Sequence, residues 1–248
     1  MAIASALRTV PMTDFAEQIN PTILAEARRA EFRQAARMQG SWLAGVEKRV
    51  LVWLAERMPG WVNSDHLTAL GFVAQIATGV CYALAAWDRR MLLAAIVWLG
   101  LNWFGDSLDG TLARVRQQQR PRYGFYVDHM IDSIGTVALM GGLALSGYMH
   151  PGIALGLLVA FLLLSIQSYL ATYALGEFHL SFWRFGPTEL RLLLAVGNLA
   201  LFKWAWVIHG KFRLFDIGGT IGIAGMVAML VFFSLKNTVR LYREERIW

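Results

Sequence analysis

Six times between residues 67 and 235 the chain returns to an apolar run long enough to cross a bilayer, roughly 20 residues for a helix. The runs are 67–87, 91–109, 127–148, 152–175, 189–208 and 216–235. Inside hydrocarbon every backbone N–H and C=O must find a partner within the protein, which leaves helices or closed barrels. Barrel strands alternate apolar and polar residues, and these runs do not. The expected fold is therefore an all-α integral membrane protein with six transmembrane helices. Charged residues make up 16% of the chain, against about 25% in soluble domains. All six prolines (11, 21, 59, 121, 151 and 187) fall between the runs, where helices stop and start. Glycines within the runs, among them Gly79, Gly135 and Gly142, offer places where helix backbones can approach.

The formal net charge of +6 could be taken for a nucleic-acid binder, but the placement of the basic residues is that of a membrane protein. With the N-terminus in the cytoplasm, 18 of the 23 Lys and Arg lie inside. Arg89, Arg90, Lys203, Lys211 and Arg213 lie outside. This split predicts both termini on the cytoplasmic side, in the inner membrane if the cell is bacterial, and no nucleic-acid partner. A single Cys81 excludes a disulfide framework and a cysteine metal site.

Residues 1–40 read as a cytoplasmic extension without the pattern of a secretory signal. Asn20 and Pro21 would open a helix in it that ends at Gly40. Ser41 then caps a second helix, closed by Pro59-Gly60. Its Leu43, Val46, Val50, Trp53 and Leu54 make one apolar stripe, with Lys48, Arg49, Glu56 and Arg57 largely on other faces. That pattern suits an amphipathic helix lying in the interface. The expected partition is an extension (1–40), an interfacial helix (41–60) and a membrane domain (61–248).

Four of the eight aspartates crowd into 27 residues: Asp106, Asp109, Asp128 and Asp132. The first pair is spaced by three at the end of the second run, and the second by four at the start of the third. On helices both spacings place the two carboxylates on one face. The runs are antiparallel and joined by the Arg-rich stretch 114–122, so the four can converge at one membrane level. Converging anions need a cation, and an all-oxygen set points to Mg²⁺ or Mn²⁺ shared with substrate phosphates. The competing reading pairs the acids with Arg114, Arg116, Arg120 and Arg122. Gly110 and Ala113 are small enough to let a base or phosphate reach the helix, and Arg114 can grip phosphate oxygens.

The string Asp106-x2-Asp109-Gly110-x2-Ala113-Arg114-x9-Gly124-x3-Asp128-x3-Asp132 resembles the signature of the CDP-alcohol phosphotransferases (CDP-alcohol phosphatidyltransferases). The resemblance covers about residues 41–235. It implies a phospholipid-synthesis enzyme that moves a substituted phosphoryl group from a CDP-linked donor to an alcohol and releases CMP. At least one substrate would be a lipid, two divalent ions would take part, and a homodimer is expected. By position, Asp106, Asp109, Asp128 and Asp132 would be metal ligands, with Asp132 alternatively the base. Gly110, Ala113, Arg114 and Gly124 would lie against the CDP portion. "DHMID" is similar to the choline and ethanolamine branch, which makes His129 the other candidate base. "FGPTELRL" also resembles that branch, and Glu189 in it would bind the acceptor. Before the first run, "NSDHLT" departs from the family's Thr-Pro-Asn-x-x-Thr. Asp65 there is a donor-binding candidate, and His66 has no assigned role.

Two other classes fit parts of the sequence. A cation- or proton-coupled transporter would use acids at helix ends, and a membrane anchor would act through residues 1–58. Neither accounts for Gly110, Ala113 and Arg114 at fixed offsets from the acids.

Overall fold

The computed structural model describes residues 36–38, 44–175, 177–179, 187–202, 206–207 and 211–246. Seven helices occur among them: α1 (Ala44–Arg57), α2 (Ser64–Leu84), α3 (Met91–Val115), α4 (Pro121–Leu145), α5 (Pro151–Leu175), α6 (Pro187–Leu201) and α7 (Leu214–Glu244). Four of them, α2, α3, α5 and α7, are long and apolar enough to cross a membrane. α4 matches α3 in length but carries Asp128, His129 and Asp132 in its first half, and α6 has 15 residues. Many large apolar side chains face outward, including Val97, Leu155, Leu170, Ile221 and Phe232. An apolar exterior of this extent suits lipid rather than water.

α2 is the central helix, and α3 and α4 each pack along it far more than on each other. Two close crossings explain why. A Cβ at Gly105 would lie 2.5 Å from the Gly71 nitrogen and 2.6 Å from the Leu67 carbonyl oxygen. A Cβ at Gly142 would collide with the Gly79 carbonyl. Backbone thus meets backbone on both flanks of α2, which only residues without side chains permit. At one end of the bundle Tyr82, Leu92, Leu143, Leu201 and Phe215 form a buried cluster. At the other, Leu51 and Ala55 of α1 pack with Val62, Leu67, Leu108 and Leu112.

Several expected boundaries move. The helix expected to end at Gly40 does not reach it, because Ala36–Met38 (β1) is extended and pairs in parallel with Glu177–His179 (β2). The start of that helix, the Ser41 cap and Leu43 fall outside the described residues. A second pair joins Trp206–Val207 (β3) and Phe212–Arg213 (β4) in antiparallel register. The face of α1 that meets the protein is Leu51, Leu54 and Ala55, joined by Met58 just past its end, while Val46, Val50 and Trp53 of the expected stripe are exposed. The connection between α3 and α4 is shorter than 114–122. α3 runs on to Val115, where Gln117 takes a left-handed φ of 56°. Gln118 N–H then donates to the Ala113 carbonyl at 2.9 Å and Gln117 N–H to that of Arg114 at 3.2 Å, a double closure of the helix end. Pro121 stands at the start of α4, where its missing N–H costs nothing.

Candidate active site

The acids lie within helices rather than at their ends, and α2 brings them together. Thr68, Gly71, Phe72 and Gln75 of α2 line a narrow crevice with Asn102, Asp106 and Asp109 of α3 and Ile131 and Asp132 of α4. Thr68 Oγ1 donates to Asp109 Oδ2 at 2.6 Å, and Ser64 Oγ donates to the Asp109 carbonyl at 3.0 Å. The other Asp109 oxygen accepts from the Gly110 N–H. Gln75 packs where a Cβ on Gly135 would otherwise sit, and its Nε2 reaches Thr136 Oγ1 at 3.4 Å. α2 therefore sets the spacing between the two acidic helices.

Asp132 interacts electrostatically with Asp106, Asp128 and Asp109. Donor atoms of Asp128, His129 and Asp132 lie within 4.8 Å of one another, so these three could hold a metal ion. The charge balance fits one. Two guanidinium groups share the site with the four carboxylates, Arg191 near Asp106 and Asp132 and Arg114 near Asp109. Fully ionised, the cluster keeps a formal surplus of two negative charges, which a divalent cation would offset.

The His129 ring is fixed by its neighbours. It stacks on Tyr169 of α5, with centroids 4.9 Å apart and planes at 16°, and meets Phe125 edge-on at 4.2 Å. Its Nδ1 lies 3.5 Å from Asp128 Oδ2. Beyond Asp109, Gly110 leaves only Arg114 Nη1 within reach of a Cβ, at 3.5 Å, and Gly124 opens on free space. Arg114 also donates to Thr111 Oγ1 at 2.9 Å, and Ala113 is half-buried beside it.

The arginines of the α3–α4 connection have other work. Arg116 donates to the carbonyls of Met58, Pro59 and Val62, clamping the link between α1 and α2. Arg120 pairs with Asp65, both about half exposed, and neither lines the crevice. His66 acquires a role as half of a capping box. Asn63 Oδ1 accepts from the His66 N–H at 3.0 Å, and His66 Nδ1 accepts from the Asn63 N–H at 3.3 Å.

Arg191 and Glu47 are the site residues that sequence reasoning missed. Arg191 Nη2 donates to Asp106 Oδ2 at 2.5 Å and its Nε to Asn102 Oδ1 at 2.7 Å. Asn102, buried, passes the contact on to the Gly71 carbonyl at 2.8 Å. A cation at the start of an apolar run was the available signal for Arg191. On the same helix, Thr188 Oγ1 donates to Glu47 Oε1 of α1 at 2.7 Å, and the neighbouring Glu189 is half-buried.

Comparison with known proteins shows what the chain is similar to. Archaetidylinositol phosphate synthase of Pyrococcus horikoshii is 29% identical over 113 residues, which are 46% of this chain and 53% of that protein. The chain thus spans about half the length of this curated relative. Nothing in the comparisons supports the transporter alternative. The family match runs from residue 61 to residue 235, taking in all four aspartates, the small residues between them and Arg191. The chain belongs to the CDP-alcohol phosphatidyltransferase family.

Proposed function

We propose that the protein is a phospholipid-synthesis transferase that moves a substituted phosphoryl group from a CDP-linked donor to an alcohol, releasing CMP. The observation that carries this reading is the crevice in which Asp132 of α4 meets Asp106 and Asp109 of α3, with Gly110 next to Asp109 and Ala113 and Arg114 about one turn further on. Such a site can hold a diphosphate: carboxylates for divalent ions, a fork of N–H donors for phosphate oxygens, and absent side chains where the nucleotide lies.

The acceptor oxygen forms a bond to the phosphorus that bears the donor's substituent. The bond from that phosphorus to the bridging oxygen breaks, and the oxygen leaves with CMP. Asp132 or His129 takes the hydroxyl proton, a role worth about 10²–10⁴-fold when the base is well placed. Stacking on Tyr169 and the edge-on contact with Phe125 hold the His129 ring in one orientation for it. Arg114 orients the diphosphate, Gly124 leaves room for the nucleotide, Asp65 contributes to donor binding and Glu189 binds the acceptor. Asp106, Asp109 and Asp128, with Asp132 where it is not the base, would hold two Mg²⁺ or Mn²⁺ ions, which would neutralise charge developing on the leaving CMP.

Donor candidates are CDP-diacylglycerol and a CDP-aminoalcohol. The Pyrococcus relative makes archaetidylinositol phosphate by its name, so an inositol phosphate acceptor joins the panel. The membrane domain, 61–248, forms six spans as a homodimer, with termini and site on the cytoplasmic side. Residues 41–60 form the interfacial segment and 1–40 the extension. The test is CMP release by purified protein given Mg²⁺ or Mn²⁺ and a panel of CDP-linked donors and alcohols. CMP from at least one pair, lost in Asp106→Ala and Asp128→Ala, is expected. No CMP from any pair, or undiminished release by both variants, would overturn the reading.

A further inference from the structure

We infer that Glu47, on α1 and outside the acidic cluster, is a positioning residue that sets α3 and α6 against each other so that Arg191 meets Asp106. The inference rests on the transfer reading above. Glu47 Oε1 accepts three hydrogen bonds from two other helices. Trp103 Nε1 donates at 2.8 Å and Ser107 Oγ at 3.3 Å, both from α3. Thr188 Oγ1 donates at 2.7 Å from the first turn of α6.

The three donors sit next to the chemistry. Ser107 adjoins Asp106. Thr188 stands three residues before Arg191, so the two share a face of α6. One turn of α6 is therefore held to α3 at two points: through Glu47 at Thr188, and directly at Arg191, which grips Asp106 and Asn102. α6 is short, and its C-terminal half packs through Leu194 and Leu201 into the buried cluster, with Gly197 close against Phe215. Its first turn, where Thr188 and Arg191 stand, is tied to its neighbours by polar contacts.

The chemistry of Glu47 argues for a built feature. A half-buried carboxylate beside Leu51, Leu54 and Trp103 is costly unless hydrogen-bonded. Three donors converge on one of its oxygens, and charge-assisted bonds of this kind are the strong ones. Glu47 also faces the protein although it sits among residues that look solvent-facing in sequence, which matches the turned face of α1.

The test compares wild type with Glu47→Gln, Glu47→Ala and Thr188→Val. Gln keeps an acceptor oxygen at the same place, Ala removes it, and Val cuts only the link to α6. CMP release is measured for kcat and KM with the donor and acceptor that wild type uses. The indole N–H signal of Trp103, identified by its loss in Trp103→Phe, is followed by NMR of ¹⁵N-Trp-labelled protein. Loss of the hub shifts Asp106 relative to Arg191, and a misplacement near 1 Å costs on the order of 10²-fold. The expected result is a kcat lower by about 10- to 100-fold in Glu47→Ala with KM changed little, and a Trp103 signal moved upfield. Glu47→Gln should stay within about 5-fold of wild type, since it can keep the three bonds. Thr188→Val should lower kcat while leaving the Trp103 signal in place. If Glu47→Ala fails to fold, Thr188→Val decides on kcat alone. Wild-type kcat in Thr188→Val, an unmoved Trp103 signal in Glu47→Ala, or a loss in Glu47→Gln equal to that in Glu47→Ala would each overturn the inference. Wild type that yields no CMP from any donor overturns the transfer reading, and the inference with it.

Discussion

Replacing Gly105 by alanine adds one methyl group, and its consequence can be worked out from the α2–α3 crossing. The new Cβ would stand 2.5 Å from the Gly71 nitrogen and 2.6 Å from the Leu67 oxygen, both backbone atoms that cannot rotate away. Side-chain Cβ atoms keep at least 3.0 Å from such neighbours, so the two helices must part by about 0.5 Å at this level. Overpacking of this kind costs roughly 1–3 kcal/mol, offset by about 1 kcal/mol because alanine favours the helix over glycine. Gly100 lies on the same helix with nothing within 4 Å of its Cβ position. Gly100→Ala therefore keeps the helix gain without the clash, and the two variants should differ by the overpacking cost alone, about 1–3 kcal/mol.

The functional effect exceeds the loss of stability because the crossing adjoins Asp106. A shift near 1 Å costs on the order of 10²-fold, so half of that predicts about a 10-fold loss of CMP release at a temperature where the variant is fully folded. Thermal melting in detergent gives the stability arm and CMP release gives the activity arm. Gly105→Ala should melt below Gly100→Ala by roughly 2–12 °C. Equal melting of the two, or full activity in Gly105→Ala, would refute the claim that this backbone contact sets the acidic helices.

Removal of divalent metal with EDTA should abolish CMP release, and Mg²⁺ or Mn²⁺ should restore it; release that persists in EDTA counts against the metal. Arg191→Ala leaves Asp106 beside Asp132 without its guanidinium and should lower kcat by at least about 10-fold, with Arg191→Lys only partly restored because an ammonium cannot fork to both Asn102 and Asp106. Equal activity of Lys and wild type would refute the two-pronged role. Arg116→Ala frees three carbonyls of the α1–α2 link, and after allowance for partial exposure should cost about 1–2 kcal/mol in melting while sparing kcat at low temperature. A kcat loss without a melting change would place Arg116 at the chemistry instead.

Hydrophobicity marks where a membrane ends, not where a helix ends, and that accounts for much of what the sequence showed and hid. The apolar runs located α2, α3, α5 and α7 well. They stopped short at Asp109 and began late at Val127, because the helices carry on through charged turns to Val115 and back to Pro121. α7 likewise continues to Glu244, beyond the last apolar residue of its run, with Arg240 and Glu244 paired at 2.8 Å. The pairing of β1 with β2 was beyond reach, since it joins segments about 140 residues apart by backbone bonds alone.

The spacing of the aspartates placed each pair on a helix face, but not the helix that gathers them. Nothing in the stretch from Asp106 to Asp132 shows that α2 stands between α3 and α4; Gly71, Gln75 and Gly79 carry that information, and their role needs a partner surface to be seen. The same holds for polarity. Arg114, Arg116 and Arg120 look interchangeable as partners for the acids, yet one lies by Asp109, one clamps carbonyls and one meets Asp65 outside the crevice lining. The cation that grips Asp106 comes from α6, 85 residues away along the chain. A carboxylate is recognisable in sequence by its type and spacing. Its partner is chosen by whichever helices the close crossings bring together, so Arg191 and Glu47 become visible only once the glycines have set those crossings.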